Sequence, residues 1–294
     1  MLLREPRYLV ITIALGLTLA SSTLFAGNEK NYTYLALGDS VAFGLNPILL
    51  DPTQPPPSPS AFKGYPEFLA DAAHLTMSKK EVNAACPGET SGSFVSGTVP
   101  DLGCYGPGPQ GQPPFKTWIG LHNGYQGAQL AFAVSELMGN KHIDLVTLGV
   151  GANDILLLLG SCGADPNPPA CVGAGLGGVL ATYAGNLANI LGNIRGTAGY
   201  QGRLVLVGFY APQAALTPIA KALNDTTQLV GSSFGIIYVD GLKAFQDAAA
   251  SSGGDVCKAD LLIHLDANTC DIHPSPKGHA VLAQAVLAAI GSAH

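Results

Sequence analysis

Short, mostly apolar runs alternate with longer segments of helical periodicity along most of the chain. The short runs predict strands at residues 32–37, 81–85, 143–148, 203–207 and 236–239. Apolar residues three and four apart predict helices at residues 65–75, 127–138, 179–194, 214–230 and 276–290. Strand and helix in alternation predict an α/β fold, in which a parallel sheet carries helices on both faces.

Three segments rich in glycine, proline and serine interrupt this alternation, at residues 45–60, 87–114 and 160–178. Because proline lacks an N–H group and glycine weakens regular structure, we expect these segments to be irregular. Each is followed by another unit of the sheet, and the sequence contains no internal repeat. Residues 27–294 are therefore predicted to form one domain.

The N-terminus has the pattern of a targeting segment. Arg4 and Arg7 precede an apolar run at residues 8–20, and small residues follow up to Ala26. A basic start, a short apolar middle and small residues predict a signal peptide over residues 1–26. A single membrane anchor is the alternative, for which the apolar run is short. Removal of a signal peptide would make the protein secreted or periplasmic.

Charge excludes one broad class of partner. The chain has 14 basic and 20 acidic residues, a net charge of −6, and no run of lysine or arginine. A protein that binds nucleic acid needs a basic surface, so we expect no nucleic acid partner. No apolar stretch of the sequence reaches the roughly 18 residues of a spanning helix, so we also expect no membrane span after removal of the signal peptide.

The cysteines support export. The chain has six cysteines, and an even number in an exported chain predicts that all are paired, here in three disulfides. Six cysteines allow about 15 connectivities. Clustering of neighbours favours the following bridges: Cys86–Cys104, Cys162–Cys171 and Cys257–Cys270. No C-x-x-C pair is present, which disfavours a zinc site or a thioredoxin-like motif.

Polar residues and glycines follow directly after the predicted strands. Gly38-Asp39-Ser40 follows the first strand, Gly88 lies just beyond the second, and Asn153 follows the third. Functional groups gather at the carboxyl ends of parallel strands, so we expect these residues to converge. A serine hydroxyl can attack a carbonyl, and a glycine N–H and an asparagine amide can stabilise the resulting oxyanion. Each residue alone is equally typical of an ordinary turn.

A serine nucleophile needs a base, and the base needs a group that orients it. Asp271 and His273 lie two residues apart, where flanking prolines predict a loop before the last helix. Alone, this histidine is typical of a surface loop and the aspartate of a helix cap. Together with Ser40 they indicate acyl transfer, provided that the fold brings them together.

These same segments resemble the sequence blocks of the GDSL-like, or SGNH, hydrolase family. Ala36-Leu37-Gly38-Asp39-Ser40 is similar to the first block, residues 83–90 to the second, Gly151-Ala152-Asn153-Asp154 to the third and residues 271–274 to the fifth. The order of the blocks fits from about residue 32 to the C-terminus. The resemblance implies a flavodoxin-like three-layer α/β/α sandwich with a central parallel sheet. It also implies ester hydrolysis without a metal or another cofactor.

By this resemblance, Ser40 would be the nucleophile and His273 the general base. The N–H groups of Ser40 and Gly88 and the side chain of Asn153 would form the oxyanion hole.

The chain departs from the family pattern at the third catalytic residue. The family's acid usually stands three residues before the histidine, and that position is Cys270. Asp271 is therefore the expected acid, and a backbone carbonyl that orients the histidine is the alternative. Asp266, seven residues before the histidine, is the remaining candidate.

Two other kinds of site are rejected. Gly231-Ser232-Ser233-Phe234-Gly235 matches the G-x-S-x-G motif of α/β-hydrolases, which needs a strand before the turn and a helix after it. Here the predicted order is the reverse. The other histidines show no metal-ligand spacing, so no metal is expected. They include His122, His142, His264, His279 and His294.

The loops at residues 43–65 and 103–124 are long enough to form the walls of an acyl-binding cleft near Ser40. Their apolar side chains would line it: Phe43, Leu45, Ile48, Leu49, Phe62, Phe115 and Trp118. Ordinary packing of these loops against the sheet is the alternative.

These observations predict a secreted or periplasmic serine esterase or lipase, monomeric and acting on an ester or lipid substrate. One alternative is a carbohydrate O-acetylesterase or another acylhydrolase with the same site. The other is a non-catalytic extracellular binding protein, since a fold does not dictate function.

Overall fold

The computed structural model describes residues 33–50, 54–73, 81–109 and 111–291. The predicted signal peptide and His294 lie outside these residues.

Five parallel strands form the central sheet of the described chain. They are β1 Tyr34–Gly38, β2 Glu81–Asn83, β3 Leu145–Gly149, β4 Arg203–Val207 and β5 Ile237–Val239. Their order across the sheet is β2-β1-β3-β4-β5, which is the flavodoxin-like arrangement. All five predicted strands are confirmed, with ends that differ by no more than two residues.

Ten α-helices lie in the described ranges. They are α1 Ser40–Phe43, α2 Tyr65–Ala72, α3 Ser91–Ser96, α4 Phe115–Trp118, α5 Gln129–Gly139, α6 Ala152–Cys162, α7 Pro168–Gly192, α8 Thr217–Gly231, α9 Gly241–Ala248 and α10 Pro276–Gly291. Helices α2, α9 and α10 pack together on one face of the sheet, and α3, α5, α7 and α8 pack on the other. The predicted three-layer α/β/α sandwich is therefore confirmed.

The sheet's central strands are buried because helices cover both of their faces. In β1, Tyr34 through Leu37 have no exposed surface. A continuous apolar run, rather than an alternating one, is what such a strand requires.

Two segments that were predicted to be irregular contain helix. Within residues 87–114, α3 begins with a capping box in which Thr90 and Ser93 satisfy each other's backbone N–H groups. Within residues 160–178, α6 ends and α7 begins, with Asn167 as its N-cap and Pro168 in its first turn. Proline is tolerated there because the N–H of that position has no partner within the helix. Packing of α7 against α6 and α8 outweighs the low helix propensity of its glycines.

The predicted loop around Asp271 and His273 is wrong, because both residues lie in a strand. Strand β7 Cys270–Pro274 pairs antiparallel with β6 Leu262–His264 in a separate two-stranded sheet. Side chains alternate along a strand, so the spacing of two residues places Asp271 and His273 on one face. Contacts between β7 and α1 bring this face to Ser40.

One described helix, Pro168–Thr197, is long and apolar enough to cross a membrane, by length and composition alone. This result contradicts the expectation that no segment reaches that length. Only 11% of the most apolar 18-residue stretch of this helix is buried within the protein. The helix nevertheless packs along α3, α6 and α8 as part of the sandwich.

The cysteines form three disulfides between the neighbours that the sequence favours. They are Cys86–Cys104, Cys162–Cys171 and Cys257–Cys270, with Cα–Cα distances of 5.6, 5.7 and 5.8 Å. The first lies beside Gly88, the second closes the turn between α6 and α7, and the third holds the start of β7.

Candidate active site

A tight turn places Ser40 at the carboxyl edge of the sheet. Gly38 ends β1 with a φ of 141°, and a Cβ atom there would lie 2.2 Å from the carbonyl oxygen of Gly149 in β3. Only glycine fits this position. Asp39 then caps α1 by accepting a hydrogen bond of 3.0 Å from the N–H of Val41. Ser40 is therefore the first residue of α1 and faces the end of the sheet.

His273 and Asp271 complete a hydrogen-bonded chain with Ser40. The Nε2 atom of His273 lies 2.9 Å from the Oγ atom of Ser40. On the other side of the ring, Nδ1 contacts Oδ1 of Asp271, which also accepts a hydrogen bond of 2.9 Å from the backbone N–H of His273. The carboxylate can thus orient an imidazole whose Nε2 is free to accept the hydroxyl proton.

The environment of Asp271 keeps it ionised. Burial acts to raise its pKa, but the hydrogen bond from the His273 ring, the charge of that ring and backbone N–H groups outweigh burial and lower the pKa. The contrast is Asp39, where burial dominates over the hydrogen bond from Val41 and raises the pKa to about 6. Of these two residues, Asp271 is the one whose ionised carboxylate can stabilise a charged imidazole.

Gly88 and Asn153 reach the same cleft as Ser40. Gly88 has a φ of 80°, and a Cβ atom there would lie 2.3 Å from the backbone of Leu102. Asn153 donates one amide hydrogen to the carbonyl oxygen of Glu89 at 2.9 Å, which fixes the orientation of the amide. Its second amide hydrogen remains available to an oxygen in the cleft, because an amide nitrogen carries two donors.

A buried pair that sequence reasoning missed links these elements behind the cleft. Gln129 accepts a hydrogen bond of 2.7 Å from the N–H of Gly38 and donates one of 3.0 Å to the carbonyl of the same residue. Its Nε2 also contacts Oε2 of Glu89, which follows Gly88 directly. Gln129 thus connects the turn before Ser40 with the loop of Gly88. A glutamine at the start of a predicted helix gives no sequence signal for this role.

Burial decides the protonation of Glu89. This carboxyl has no exposed surface, and burial raises its pKa well above the ordinary value despite hydrogen bonds from Tyr105 and Gln129. Burial therefore favours the protonated, neutral form of Glu89. Its polar atoms are held within the protein rather than directed at a substrate.

A second link joins the third sequence block to α3. Asp154 accepts a hydrogen bond of 2.8 Å from the N–H of Ser91 and another of 2.6 Å from its hydroxyl. Since Asp154 follows Asn153 directly, this pair holds the start of α6 against the start of α3. This link holds the backbone at Asn153, while the hydrogen bond to Glu89 orients its amide.

The cleft in front of Ser40 has a volume of about 440 Å³, within the size range of small-molecule sites. Most of its lining is apolar: Leu45, Pro47, Leu50, Leu102, Pro109, Phe115, Trp118, Leu156 and Ile272. Leu45, Phe115 and Trp118 were predicted to line it, and they do. Phe43 and Phe62 do not, because both are buried in the core. Ile48 and Leu49 are exposed outside the cleft lining.

The structure does not bring the other candidates to this cleft. Asp266 accepts hydrogen bonds from Asn268 and Thr269 within an exposed turn. Ser232 and Ser233 lie between α8 and β5, the order that the G-x-S-x-G motif does not allow.

The remaining described histidines are dispersed. His122 contacts the carbonyl of Phe43, His264 contacts Asp260, His279 is buried in α10, and His142 is exposed. His264 also lies near Cys257 and Cys270, but a disulfide joins these two cysteines and leaves no thiolate to bind a metal.

Several solved structures have the same fold. An extracellular lipase from Streptomyces rimosus has a TM-score of 0.54 and 18% identity, over 88% of this chain and 99% of the lipase. Phospholipase A1 from Streptomyces albidoflavus has a TM-score of 0.52 and 19% identity, over 90% and 99%. A catalytic mutant of an acetylxylan esterase from Geobacillus stearothermophilus has a TM-score of 0.51 and 16% identity, over 90% and 95%. No curated protein sequence matches the chain.

The architecture is therefore that of the three-layer ester hydrolases. The profile of the GDSL-like lipase/acylhydrolase family matches residues 36–281, which include Ser40, Asn153 and His273. The chain belongs to the GDSL-like lipase/acylhydrolase family and is a hydrolase of ester bonds.

Proposed function

We propose that this chain is an exported serine esterase of the lipase type, with Ser40 as nucleophile, His273 as general base and Asp271 as the acid that orients it. The observation that carries the proposal is the distance of 2.9 Å between Nε2 of His273 and Oγ of Ser40. A serine and a histidine 233 residues apart in the sequence meet at the end of the sheet, inside a cleft.

The reaction has two halves. Ser40 Oγ attacks the ester carbonyl while His273 takes its proton, and the carbonyl oxygen becomes an oxyanion held by the N–H groups of Ser40 and Gly88 and the amide of Asn153. Collapse breaks the ester bond as His273 returns the proton to the leaving alcohol. Water, deprotonated by the same histidine, then cleaves the acyl-enzyme and releases the carboxylic acid.

The cleft lining favours an acyl chain longer than acetyl. Apolar side chains form most of its walls, and Gln112 is its only polar lining residue outside the proposed machinery among the described residues. A glycan deacetylase, the alternative on the same site, needs polar groups that recognise sugar hydroxyls. The acetylxylan esterase with this fold keeps that alternative open to test.

Export agrees with the disulfides. Three bridges in one chain form and persist in oxidising compartments. The extracellular lipase of the same fold is compatible with this location.

The test compares Ser40→Ala with the control Ser232→Ala, whose hydroxyl lies in an exposed turn away from the cleft. We expect Ser40→Ala to lower kcat on p-nitrophenyl esters by about 10⁴-fold or more and the control to keep full activity. Octanoyl ester should be hydrolysed faster than acetyl ester. A wild-type protein that hydrolyses none of these esters would support the binding-protein alternative instead.

A further inference from the structure

Two exposed apolar side chains stand beside the mouth of the active-site cleft. Ile48 and Leu49 are 58% and 41% exposed, in the short 3₁₀ turn Pro47–Leu49. The residues on either side of this pair, Pro47 and Leu50, line the cleft itself. Apolar surface therefore continues from the cleft wall onto the outside of the protein. We call Ile48 and Leu49 the apolar tip.

The apolar tip is held outward by local hydrogen bonds. Asn46 caps the turn by accepting a hydrogen bond of 3.0 Å from the N–H of Ile48. The N–H groups of Leu49 and Leu50 donate to the carbonyls of Asn46 and Pro47 at 3.1 and 3.0 Å. Proline at the start restricts the backbone further. The exposure of both side chains is thus a property of an ordered turn.

Helix α6, which contributes to the cleft lining, is also poor in charge beyond its first turn. Leu156 of α6 lines the cleft, and residues 155–194, which include the rest of α6 and all of α7, contain one charged residue, Asp165. Few charges there would have to lose water if an apolar phase approached the mouth. Apolar side chains next to such a surface are typical of interfacial binding.

We infer that the apolar tip docks the enzyme onto the surface of an aggregated, electrically neutral ester lipid, so that the cleft opens toward the substrate phase. The inference rests on the proposed function, because the cleft must accept an acyl chain from that phase. The net charge of −6 disfavours anionic surfaces and favours neutral or zwitterionic ones. The contact would supply area for adsorption, while the chemistry stays with Ser40.

The test uses the double variant Ile48→Ser/Leu49→Ser and the matched control Met138→Ser/Leu229→Ser. Met138 and Leu229 are 55% and 74% exposed, near the C-terminal ends of α5 and α8. Because these crossover helices run opposite to the strands, those ends lie at the edge of the sheet away from the cleft. Binding is measured by co-sedimentation with vesicles of ether-linked phosphatidylcholine, which contain no carboxylic ester to hydrolyse.

We expect the tip variant to bind vesicles about 10–100-fold more weakly than wild type and the control to bind normally. Hydrolysis of a soluble short-chain ester should be unchanged in both, while hydrolysis of an emulsified long-chain ester falls only in the tip variant. A wild type that does not bind vesicles, or equal losses in both variants, would overturn the inference. So would a dimer in solution that the tip variant abolishes, because the tip would then bind a second copy.

Vesicle binding needs no turnover, so its result is independent of the proposed chemistry. If the tip variant loses vesicle binding but hydrolyses soluble ester normally, the apolar tip acts in binding alone. If the wild-type protein has no esterase activity, the proposed function is wrong, whether or not the protein binds vesicles.

Discussion

Protonation of a buried histidine is expected to make the fold sensitive to acid. His279 lies in α10 with 3% of its surface exposed, and its Nδ1 has no hydrogen-bond partner among the described residues. Its ring stacks near that of Phe68, with centroids 6.3 Å apart. Burial, with a smaller contribution from the charge of His273, lowers the pKa of His279 from 6.5 to about 3.

The sign and size of the effect follow from this difference. The folded-state pKa lies below the unfolded value, so between about pH 6.5 and 3 the unfolded chain binds a proton that the folded chain refuses. Folding stability is therefore lost as the pH falls through this window. At about pH 4.5, two units below the unfolded pKa, the loss is about 3 kcal/mol, and near pH 7.5 it is negligible.

Other buried groups change stability in the opposite direction. Burial raises the pKa of Glu67 to about 7 and that of Asp39 to about 6, so their protonation favours the folded state as the pH falls. The pH dependence of the wild-type free energy of unfolding combines these opposite effects. The difference between wild type and His279→Leu isolates the histidine, because both proteins keep the same carboxyls.

The assay is urea unfolding at several pH values from about 7.5 to 4.5, with the disulfides intact. As the pH falls over this range, the stability of His279→Leu should rise by about 3 kcal/mol relative to wild type, apart from any constant packing difference. The control is His142→Leu, which changes an exposed histidine and should follow the wild-type curve. If the free energies of unfolding of wild type and His279→Leu changed in parallel with pH, the reasoning would be refuted. Such a result would mean that His279 has the same pKa in the folded and unfolded states.

Two further predictions concern the candidate site. Asp271→Asn should lower kcat by about 10⁴-fold with little change in KM, because an amide no longer selects the tautomer of His273; near-full activity in steady-state assays would mean that a backbone carbonyl orients the ring. Gln129→Ala should lower kcat on soluble ester by about 100-fold, because it releases the Gly38 turn that holds Ser40. A Gln129→Ala variant that retains wild-type kcat at equal thermal stability would show that the turn holds without this side chain.

Much of the layout of this protein is readable from local pattern. Continuous apolar runs mark the five strands because the parallel sheet is buried on both faces, and amphipathic periodicity marks the helices that cover it. Ser40, Gly88 and Asn153 could be proposed because each follows a strand, and the ends of parallel strands share one edge of the sheet.

Local pattern failed where tertiary contacts outweigh propensity. Residues 160–178 read as irregular from their glycine and proline content, yet α7 begins there because its cap and its packing against α6 and α8 compensate for the glycines. Asp271 and His273 read as a loop between prolines, yet pairing of β7 with β6 makes them neighbours on one face of a strand.

The site itself depends on contacts between distant parts of the chain. Gln129 contacts Gly38 across 91 positions of sequence, and His273 meets Ser40 across 233. Residue type and spacing along the chain carry no information about such pairs, because their geometry is set by how the strands and helices pack. The sequence determined which groups are available at the edge of the sheet. Packing decided which of them touch, which carboxyl is ionised and which apolar side chains remain exposed at the cleft.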